Sequence, residues 1–308
     1  MHPDVRVIGE VRPLERPLLI AAFDGRNGSS AVAAVAYLAH HWNAQPVAEI
    51  DPDPYFDFTA LRPRVRLDEA GERVLDWPDA KFAVARPEGV ERDVVLFVGA
   101  EPHLRWRSYA EAFASVAETL GVEQTVIVNA YPGGAAHTRP IPMHLVGADD
   151  LAAEQFGLAS RSPRYQGPAA FAMSLAVEER ARGRGGFSLT AIAPFYVVGE
   201  ANPYTVRALV TALDRAIGSR TDLRQIDGRV AEADIALVDA FAAQPDLEQI
   251  VRGLEQQHDE TAAPPAAGEA VDPAAVVDDV EAFLRSLREP GADGAADGGL
   301  AEEGGRAR

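Results

Sequence analysis

The sequence contains no cysteine. Disulfide bonds, thiolate nucleophiles and cysteine-ligated zinc or iron–sulfur centres are therefore excluded. A redox role would need a bound cofactor. The chain also lacks the Gly-x-Ser-x-Gly nucleophile turn and the His-Glu-x-x-His zinc motif. The sequence therefore predicts no metal and no cofactor, and it shows no recognisable catalytic constellation.

Basic residues and long apolar runs are scarce too. The 308 residues include 29 Lys and Arg against 47 Asp and Glu, a net charge of -18, and Lys81 is the only lysine. Nucleic-acid binding needs clustered basic residues, so we expect no nucleic-acid partner. No apolar run approaches the roughly 20 residues of a membrane helix, and residues 1–6 do not resemble a signal peptide. We expect no membrane contact and a cytoplasmic location.

Four apolar runs, each followed by a turn-forming loop, organise the first two thirds of the chain. Apolar runs without alternation are typical of strands buried on both faces, and the helical patterns between them indicate parallel crossovers. The sequence therefore predicts an α/β fold with a mostly parallel sheet flanked by helices. The loops should gather at one sheet edge, where ligands and partners dock in such folds. The runs are Leu18–Phe23, Val94–Val98, Val126–Val128 and Leu189–Ala193.

Two regions depart from this pattern. Residues 51–86 contain helix-breaking prolines and short alternating runs around Gly71, which predicts a small antiparallel excursion with a hairpin turn. From Val230 onward the apolar spacing becomes helical. We therefore predict an α/β core domain over 14–228 and a helical appendage over 229–258. Residues 259–308 are predicted to form an acidic linker, one short amphipathic helix and a disordered tail.

The loop after the first apolar run is a candidate anion site. It runs from Asp24 through Asn27 to Ser30 and opens a helix, where backbone N–H groups and the helix dipole favour a negative charge. It lacks the lysine of a phosphate-binding P-loop. A tight turn before a capped helix explains the same residues, and both interpretations stay open.

A second candidate group follows the third and fourth runs. Glu101 and Arg105 lie in one loop, and His137 and Arg139 lie in the other. If the sheet order brings the loops together, these side chains and Asn27 would share a pocket suited to anion binding and acid–base chemistry. The structural alternative is an Arg139–Glu101 ion pair that holds the two loops together.

Residues 51–58 combine acids, prolines and aromatic rings. The acids resemble a hard-cation site, but their spacing does not match an EF-hand. A rigid surface loop or an interface element explains the segment better. Tyr55, Phe56 and Phe58 are therefore candidate interface residues, because rigid aromatic side chains dominate interface energetics.

Taken in order, six segments resemble the proteasome assembly chaperone family in its actinobacterial branch. Together they cover roughly residues 14–258. Any one of them would be weak, but their ordered agreement is specific. The segments are Pro17–Gly25 with Asn27, Asp51–Phe58 with Arg62-Pro63, Arg92–Gly99 with Glu101-Pro102 and Arg105–Arg107, His137–Pro140, Tyr165–Pro168 and Pro194–Val197.

The resemblance implies a three-layer fold similar to that of nucleoside phosphorylases, usually oligomeric and without an established enzymatic activity. It also implies proteasome α-subunits as partners, since eukaryotic and archaeal relatives bind them. Our leading hypothesis is a non-catalytic chaperone-like protein that forms a homo-oligomer and engages α-subunits. The alternative is a phosphorylase- or hydrolase-type enzyme, or a binder, that acts on a small anionic metabolite. A flat apolar patch at the loop edge would favour the first hypothesis, and a deep cavity the second.

Overall fold

The computed structural model describes residues 1–10, 12–25, 29–78, 80–161 and 166–262. Within these residues the chain forms eleven strands and seven helices. The strands are β1 (Val5–Val7), β2 (Leu18–Asp24), β3 (Gln45–Ile50), β4 (Arg64–Leu67), β5 (Arg73–Asp76), β6 (Ala80–Ala85), β7 (Val94–Ala100), β8 (Gln124–Gly133), β9 (Met143–Val146), β10 (Ser160–Arg161) and β11 (Phe187–Pro194). The helices are α1 (Ser29–His41), α2 (Trp106–Thr119), α3 (Asp150–Phe156), α4 (Phe171–Ala181), α5 (Pro203–Ile217), α6 (Arg224–Ala243) and α7 (Pro245–Ala262).

Nine strands form one sheet in the order β1-β3-β6-β7-β2-β8-β11-β9-β10. The four central strands, β7, β2, β8 and β11, are parallel to one another. Antiparallel pairings appear on both sides of this centre, at β6–β7 and at β11–β9. The four central strands contain the four apolar runs, and the predicted α/β fold is confirmed.

Helices cover both faces of the sheet, which produces three layers. Along β2, Leu18 and Ile20 face one core together with α1, α3, α5 and the packed side of α6 and α7. Leu19 and Ala21 face the other core together with α2 and α4. Successive strand residues point to opposite faces, and here both faces are dry, which explains why the central strands do not alternate.

The antiparallel excursion divides into two parts. β6 joins the main sheet between β3 and β7. β4 and β5 form a separate two-stranded hairpin whose turn includes Gly71 at φ 81°, a backbone conformation that glycine adopts without strain. The chain therefore leaves the sheet after β3, makes an exposed hairpin and returns.

Several elements were not predicted from the sequence. They are β1, β9, β10 and α3, each of seven residues or fewer. Such short segments contain too few residues for a periodic signal to stand out. Helix α6 also begins at Arg224, ahead of the predicted Val230, and α7 continues through Ala262. The division into domains stays a prediction, and residues 263–308 lie outside the described part of the chain.

A buried carboxylate fixes the start of β7. Asp93 is 0 % exposed and accepts hydrogen bonds from the Arg12 and Arg86 guanidiniums and, at 2.7 Å, from the backbone N–H of Glu15. Burial alone would raise the pKa of Asp93. The hydrogen bonds outweigh burial and lower this pKa to about 2. The carboxylate stays ionised and ties the segment before β2 to the β6–β7 connection.

Candidate functional site

The carboxyl ends of β2 and β7 are joined around Glu101. Its backbone N–H donates to the carbonyl of Asp24 at 2.8 Å. Its carboxylate accepts from the backbone N–H of Phe171 at 2.7 Å and lies where a Cβ on Gly25 would approach Oε2 to 2.9 Å. Ala170 offers no side-chain cap to α4, so Glu101 supplies an acceptor at that helix N-terminus. The loop after β2 therefore passes close to the Glu101 carboxylate. Glycine at position 25, which has no Cβ, leaves room for this approach.

Arg105 lies at the beginning of α2 with a left-handed backbone, φ 52°. Its guanidinium carbon is 5.7 Å from the centroid of the Tyr55 ring, within cation–π range. This contact links the loop after β7 to segment 51–58. Arg105 is exposed and faces an aromatic ring of its own subunit.

The aromatic residues of segment 51–58 differ in exposure. Tyr55 is 0 % and Phe56 is 4 % exposed, and both pack against Tyr109. The Tyr55 hydroxyl donates to Asp4 at 2.6 Å, and burial followed by this bond raises the pKa of Tyr55 to about 12. Tyr55 and Phe56 are therefore core residues of their own subunit. Only Phe58 of the three is partly exposed, and an interface through this segment stays a prediction.

His137 packs among aromatic rings on the α5–α6 side of the sheet. Its Nδ1 is 2.7 Å from the Tyr196 hydroxyl, and its ring centroid lies 5.4 Å from that of Tyr204 and 6.1 Å from that of Phe241. Burial lowers the pKa of His137, although Asp234 acts in the opposite direction. A neutral imidazole in this position holds the loop after β8 against α6.

The residues after His137 hold α7. Arg139 donates to Asp259 through Nε and Nη2, each at 2.8 Å, and the Thr138 hydroxyl donates to Glu255. The side chain of Leu254 is 3.2 Å from the position of a Cβ on Gly134. Helices α6 and α7 therefore pack on their own α/β core.

The described candidates do not meet in a single cluster. Glu101 contacts the start of α4 on one face of the sheet, whereas His137 and Arg139 contact α6 and α7, which pack on the other face. The structural alternative, an Arg139–Glu101 ion pair, is wrong, because Arg139 pairs with Asp259 and Glu255. Asn27 lies outside the described residues, so the shared pocket stays a prediction.

Two cavities lie away from these side chains. One, of about 170 Å³, opens at the ends of β8 and β11 and is lined in part by Ser29, Ser30 and Asn202. The other, of about 440 Å³, is a mostly apolar groove beside β1, β3 and the end of α2. Five of the predicted pocket residues lie in the described part of the chain, and none of them lines either cavity. They are Asp24, Glu101, Arg105, His137 and Arg139. Ligand pockets usually measure about 300–1,000 Å³, so the loop-edge cavity is small.

Exposed apolar side chains lie on the two elements next to Glu101, which are the loop after β7 with the start of α2, and the first turn of α4. Leu104 is 52 % exposed, Trp106 36 % and Met173 42 %. The Trp106 ring lies 5.6 Å from that of Phe171, and its indole N–H donates to the carbonyl of Pro102 at 2.7 Å, so its orientation is fixed. We call Leu104, Trp106 and Met173 the loop-edge patch. A rigid apolar surface of this kind suits contact with another protein.

Metal binding and membrane insertion find no support in the described ranges. There, no group of three or more His, Asp and Glu side chains is arranged to hold a metal ion. Over those same ranges no helix combines the length and the hydropathy needed to span a bilayer.

Sequence reasoning missed the partners of His137 and Arg139. Asp234, Glu255 and Asp259 lie about 100 residues further along the chain, on helices whose rotation is set only by packing. The one available signal was the position of these acids near the apolar stripes of α6 and α7. Sequence reasoning also missed the loop-edge patch, because exposed Leu and Met residues leave no local pattern in a sequence.

Comparison with known proteins identifies the family. The model of the PAC2 family matches residues 23–238. A proteasome-assembly chaperone homologue of Mycobacterium tuberculosis, Rv2125, is 31% identical with a TM-score of 0.67 over 76% of this chain and 99% of that one. A PAC2 family protein of Streptomyces avermitilis is 34% identical, TM-score 0.65, over 75% and 98%.

A more distant structure shares the fold alone. PbaB, an archaeal proteasome activator of Pyrococcus furiosus, is 17% identical with a TM-score of 0.58 over 77% of this chain and 98% of that one. No curated protein matches the chain. The family match spans more than half of the sequence and two solved relatives exceed 30% identity, so the resemblance is confirmed and the chain belongs to the PAC2 family.

Proposed function

We propose that this protein is a proteasome-assembly-chaperone-like binding protein that self-associates and engages proteasome α-subunits. The observation that carries the proposal is the 31% identity to a proteasome-assembly chaperone homologue over 99% of that chain. The archaeal proteasome activator shares the fold and adds no argument about the partner. The chemistry of the chain agrees with a binding role, since its described candidate residues stabilise loops and helices of their own subunit.

The loop-edge patch is the surface that we assign to the α-subunit. It lies at the carboxyl edge of the parallel strands, where partners of α/β sheets dock. Leu104 and Met173 offer apolar area, and Trp106 offers an aromatic anchor already held in place by its hydrogen bond. A pre-oriented aromatic residue loses little conformational entropy on binding, which favours affinity.

Native mass spectrometry of the full chain mixed with α-subunits from the same organism tests the proposal. A complex of defined stoichiometry supports it. Leu104→Asp with Met173→Asp should abolish that complex. The matched control is Leu151→Asp on α3, where the side chain is 61 % exposed and remote from the patch, and it should leave binding unchanged. A wild-type chain that forms no complex with any α-subunit would remove the proteasome part of the proposal.

The enzymatic alternative has less support. The cavity at the loop edge is about 170 Å³ and is bordered by Ser29, Ser30 and Asn202, so it suits only a very small ligand. The same spectra decide this point. A small molecule of fixed mass that stays with the wild-type chain, without any α-subunit complex, would favour the metabolite hypothesis.

A further inference from the structure

The Glu101 carboxylate has one satisfied oxygen and one free oxygen. Oε1 accepts from the backbone N–H of Phe171 at 2.7 Å. Oε2 has no hydrogen-bond donor and no ion-pair partner among the described residues. Glu101 is also half-buried, so water solvates the charge less fully than at an open surface. A carboxylate oxygen in this position is best stabilised by a cationic donor.

A second polar side chain points to the same face of the sheet. Phe97 of β7 and Ile127 of β8 belong to the core beneath α2 and α4, and alternate residues of a strand share a face. Glu101 and Tyr131 each follow one of these residues by four positions, so both lie on that face. The bond from Glu101 to the start of α4 agrees with this orientation.

A glycine lies between these two side chains. Strand β2 separates β7 from β8, and its registers, continued beyond the last paired residues, place Gly25 level with both Glu101 and Tyr131. Adjacent strands are about 4.8 Å apart, so β7 and β8 are separated by about 10 Å. A Cβ on Gly25 would be 2.9 Å from Glu101 Oε2, so the space above this glycine is open only because it has no side chain. We call the space bounded by Glu101, Gly25 and Tyr131 the glycine slot.

The sheet opens at the glycine slot. Pairing of β2 with β8 ends at Ala22 and Val128, although β2 continues to Asp24 and β8 to Gly133. The crossovers also change sides here, because α1 after β2 packs on one face and α2 between β7 and β8 packs on the other. In open α/β sheets, ligand groups enter at the carboxyl ends of the strands at such a point.

The Tyr131 hydroxyl is available as a hydrogen-bond acceptor. It has no hydrogen-bond partner in the described part of the chain. Burial, followed by the charge of Glu101, raises the pKa of Tyr131, so the phenol is neutral at physiological pH. Tyr131 and Glu101 are both partly exposed, so a group from another molecule can reach them. The slot therefore offers one anionic and one neutral oxygen.

The charged residues around the slot leave its carboxylate unpaired. The Arg105 guanidinium lies over the Tyr55 ring, and Arg107 forms no ion pair within the described ranges. His103 uses Nδ1 to accept from a backbone N–H. The last residue of β2, Asp24, is a further exposed acid. A cation supplied by a partner is therefore complementary to this site.

We propose that the glycine slot receives the ammonium group of a lysine side chain of the proteasome α-subunit. A guanidinium binds a carboxylate best through both oxygens, and Phe171 already occupies one of them, whereas an ammonium is a compact charge that needs only single oxygens. The slot adjoins the loop-edge patch, because the Phe171 ring also lies 5.6 Å from that of Trp106. The aliphatic stem of the lysine would pack on that patch. This inference rests on the α-subunit binding in the proposed function.

Titration of the full chain with n-butylammonium chloride tests the slot without any α-subunit. In the wild type, the backbone amide NMR signals of Gly25 and Phe171 should shift in a saturable way, and potassium chloride at the same ionic strength should not reproduce the shift. Glu101→Gln keeps a carbonyl oxygen for the Phe171 N–H but removes the charge, and it should abolish saturation. Glu178→Gln, which removes an exposed acid further along α4, should respond as wild type. Circular dichroism verifies that each variant folds.

Two results of this titration would overturn the proposal. One is a wild-type chain whose signals show no saturable shift. The other is saturation that appears only after Arg26→Ala, because the chain's own arginine would then fill the slot. Arg26 lies next to Gly25 and outside the described residues.

Isothermal titration calorimetry with α-subunits from the same organism identifies the group in the slot. Glu101→Gln should raise the dissociation constant about tenfold or more, Tyr131→Phe by a smaller factor, and Glu178→Gln not at all. Acetylation of the α-subunit lysines removes their charge, so wild type and Glu101→Gln should then bind equally. An effect of Glu101→Gln that persists with acetylated α-subunits would overturn the proposal, because Glu101 would act only by holding its own loop.

The two measurements distinguish this inference from the proposed function. A wild-type complex with α-subunits that is insensitive to Glu101→Gln would overturn the inference and leave the chaperone-like function standing. A slot that takes n-butylammonium in a chain that binds no α-subunit would remove the proposed partner, and with it the lysine assigned to the slot.

Discussion

The central strands of the main sheet and the strands of the β4–β5 hairpin use similar apolar residues in opposite environments. In β2 and β7, Leu19, Ile20 and Val95 are 0 % exposed, whereas Val65 and Leu67 of β4 are 63 % and 65 % exposed. The two kinds of strand differ in the residues that stand between their apolar residues. The central strands are continuous apolar runs, and the hairpin alternates Val and Leu with Arg. The central sheet is therefore covered on both faces within one subunit, whereas the hairpin keeps its apolar side chains exposed.

The largest loss of stability is expected in the central sheet, at Phe97 of β7. Its ring is 0 % exposed and contacts those of Phe23, Phe82 and Phe113. Phe97→Ala leaves a cavity among these rings and should lower the free energy of unfolding by about 3–5 kcal/mol. Urea denaturation measures this loss, which should be the same at every protein concentration.

Leu67→Ala in the hairpin is the matched comparison. In dilute, monomeric protein it should change the free energy of unfolding by less than about 0.5 kcal/mol, because the side chain is already exposed. A large loss would mean that Leu67 packs against its own subunit and would contradict its exposure.

An intermediate effect is expected at Asp93, where the hairpin region returns to the sheet. Asp93→Asn removes the charge that Arg12 and Arg86 neutralise. We expect a loss of about 2 kcal/mol, at the low end for a buried pair because both guanidiniums keep contact with water. Arg12→Lys, which keeps the charge but not the forked geometry, should cost less.

The pKa of Asp93 adds a pH dependence with a definite sign. Its folded value of about 2 lies below the ordinary value near 4. The stabilisation is therefore complete above pH 4 and is lost as the pH falls from 4 through 2. Melting temperatures measured across this range should converge for the wild type and Asp93→Asn, and a constant difference would contradict this assignment.

The fold could be predicted because burial on both faces leaves a local signature. The continuous apolar run Leu18–Phe23 by itself indicates a strand buried on both faces, and Gly121, at φ 67° just beyond α2, suits the end of a helix. Helix α5 begins with equally local chemistry, since Pro203 suits the first helical turn and Asn202 supplies the cap. Local chemistry was sufficient for these elements.

The candidate site could not be predicted to the same degree, because its contacts depend on distant packing. Arg139 meets Asp259, 120 residues away, and no local rule selects Asp259 over Glu101. Tyr55 looked like a surface anchor among prolines and acids, yet its ring packs against Tyr109 and its hydroxyl finds Asp4. A buried tyrosine needs a polar partner for its hydroxyl, and a sequence cannot show whether one is in reach.

The smallest effect is expected at the ion pair on the hairpin surface. Arg66 Nε lies 2.8 Å from Asp76 Oδ1, with side chains 57 % and 52 % exposed. Solvent screens such a pair, and ordering two long side chains opposes it. Arg66→Ala should therefore leave the melting temperature of the dilute protein unchanged in calorimetry.

Arg184→Ala provides the contrast within the central region. The Arg184 side chain is 12 % exposed and donates to Glu179, whose side chain is 0 % exposed. Removing the guanidinium leaves a buried carboxylate without its ion-pair partner, so the melting temperature should fall clearly. A similar loss for Arg66→Ala in monomeric protein would show that the hairpin is held by its own ion pair. The two regions would then be stabilised in the same way.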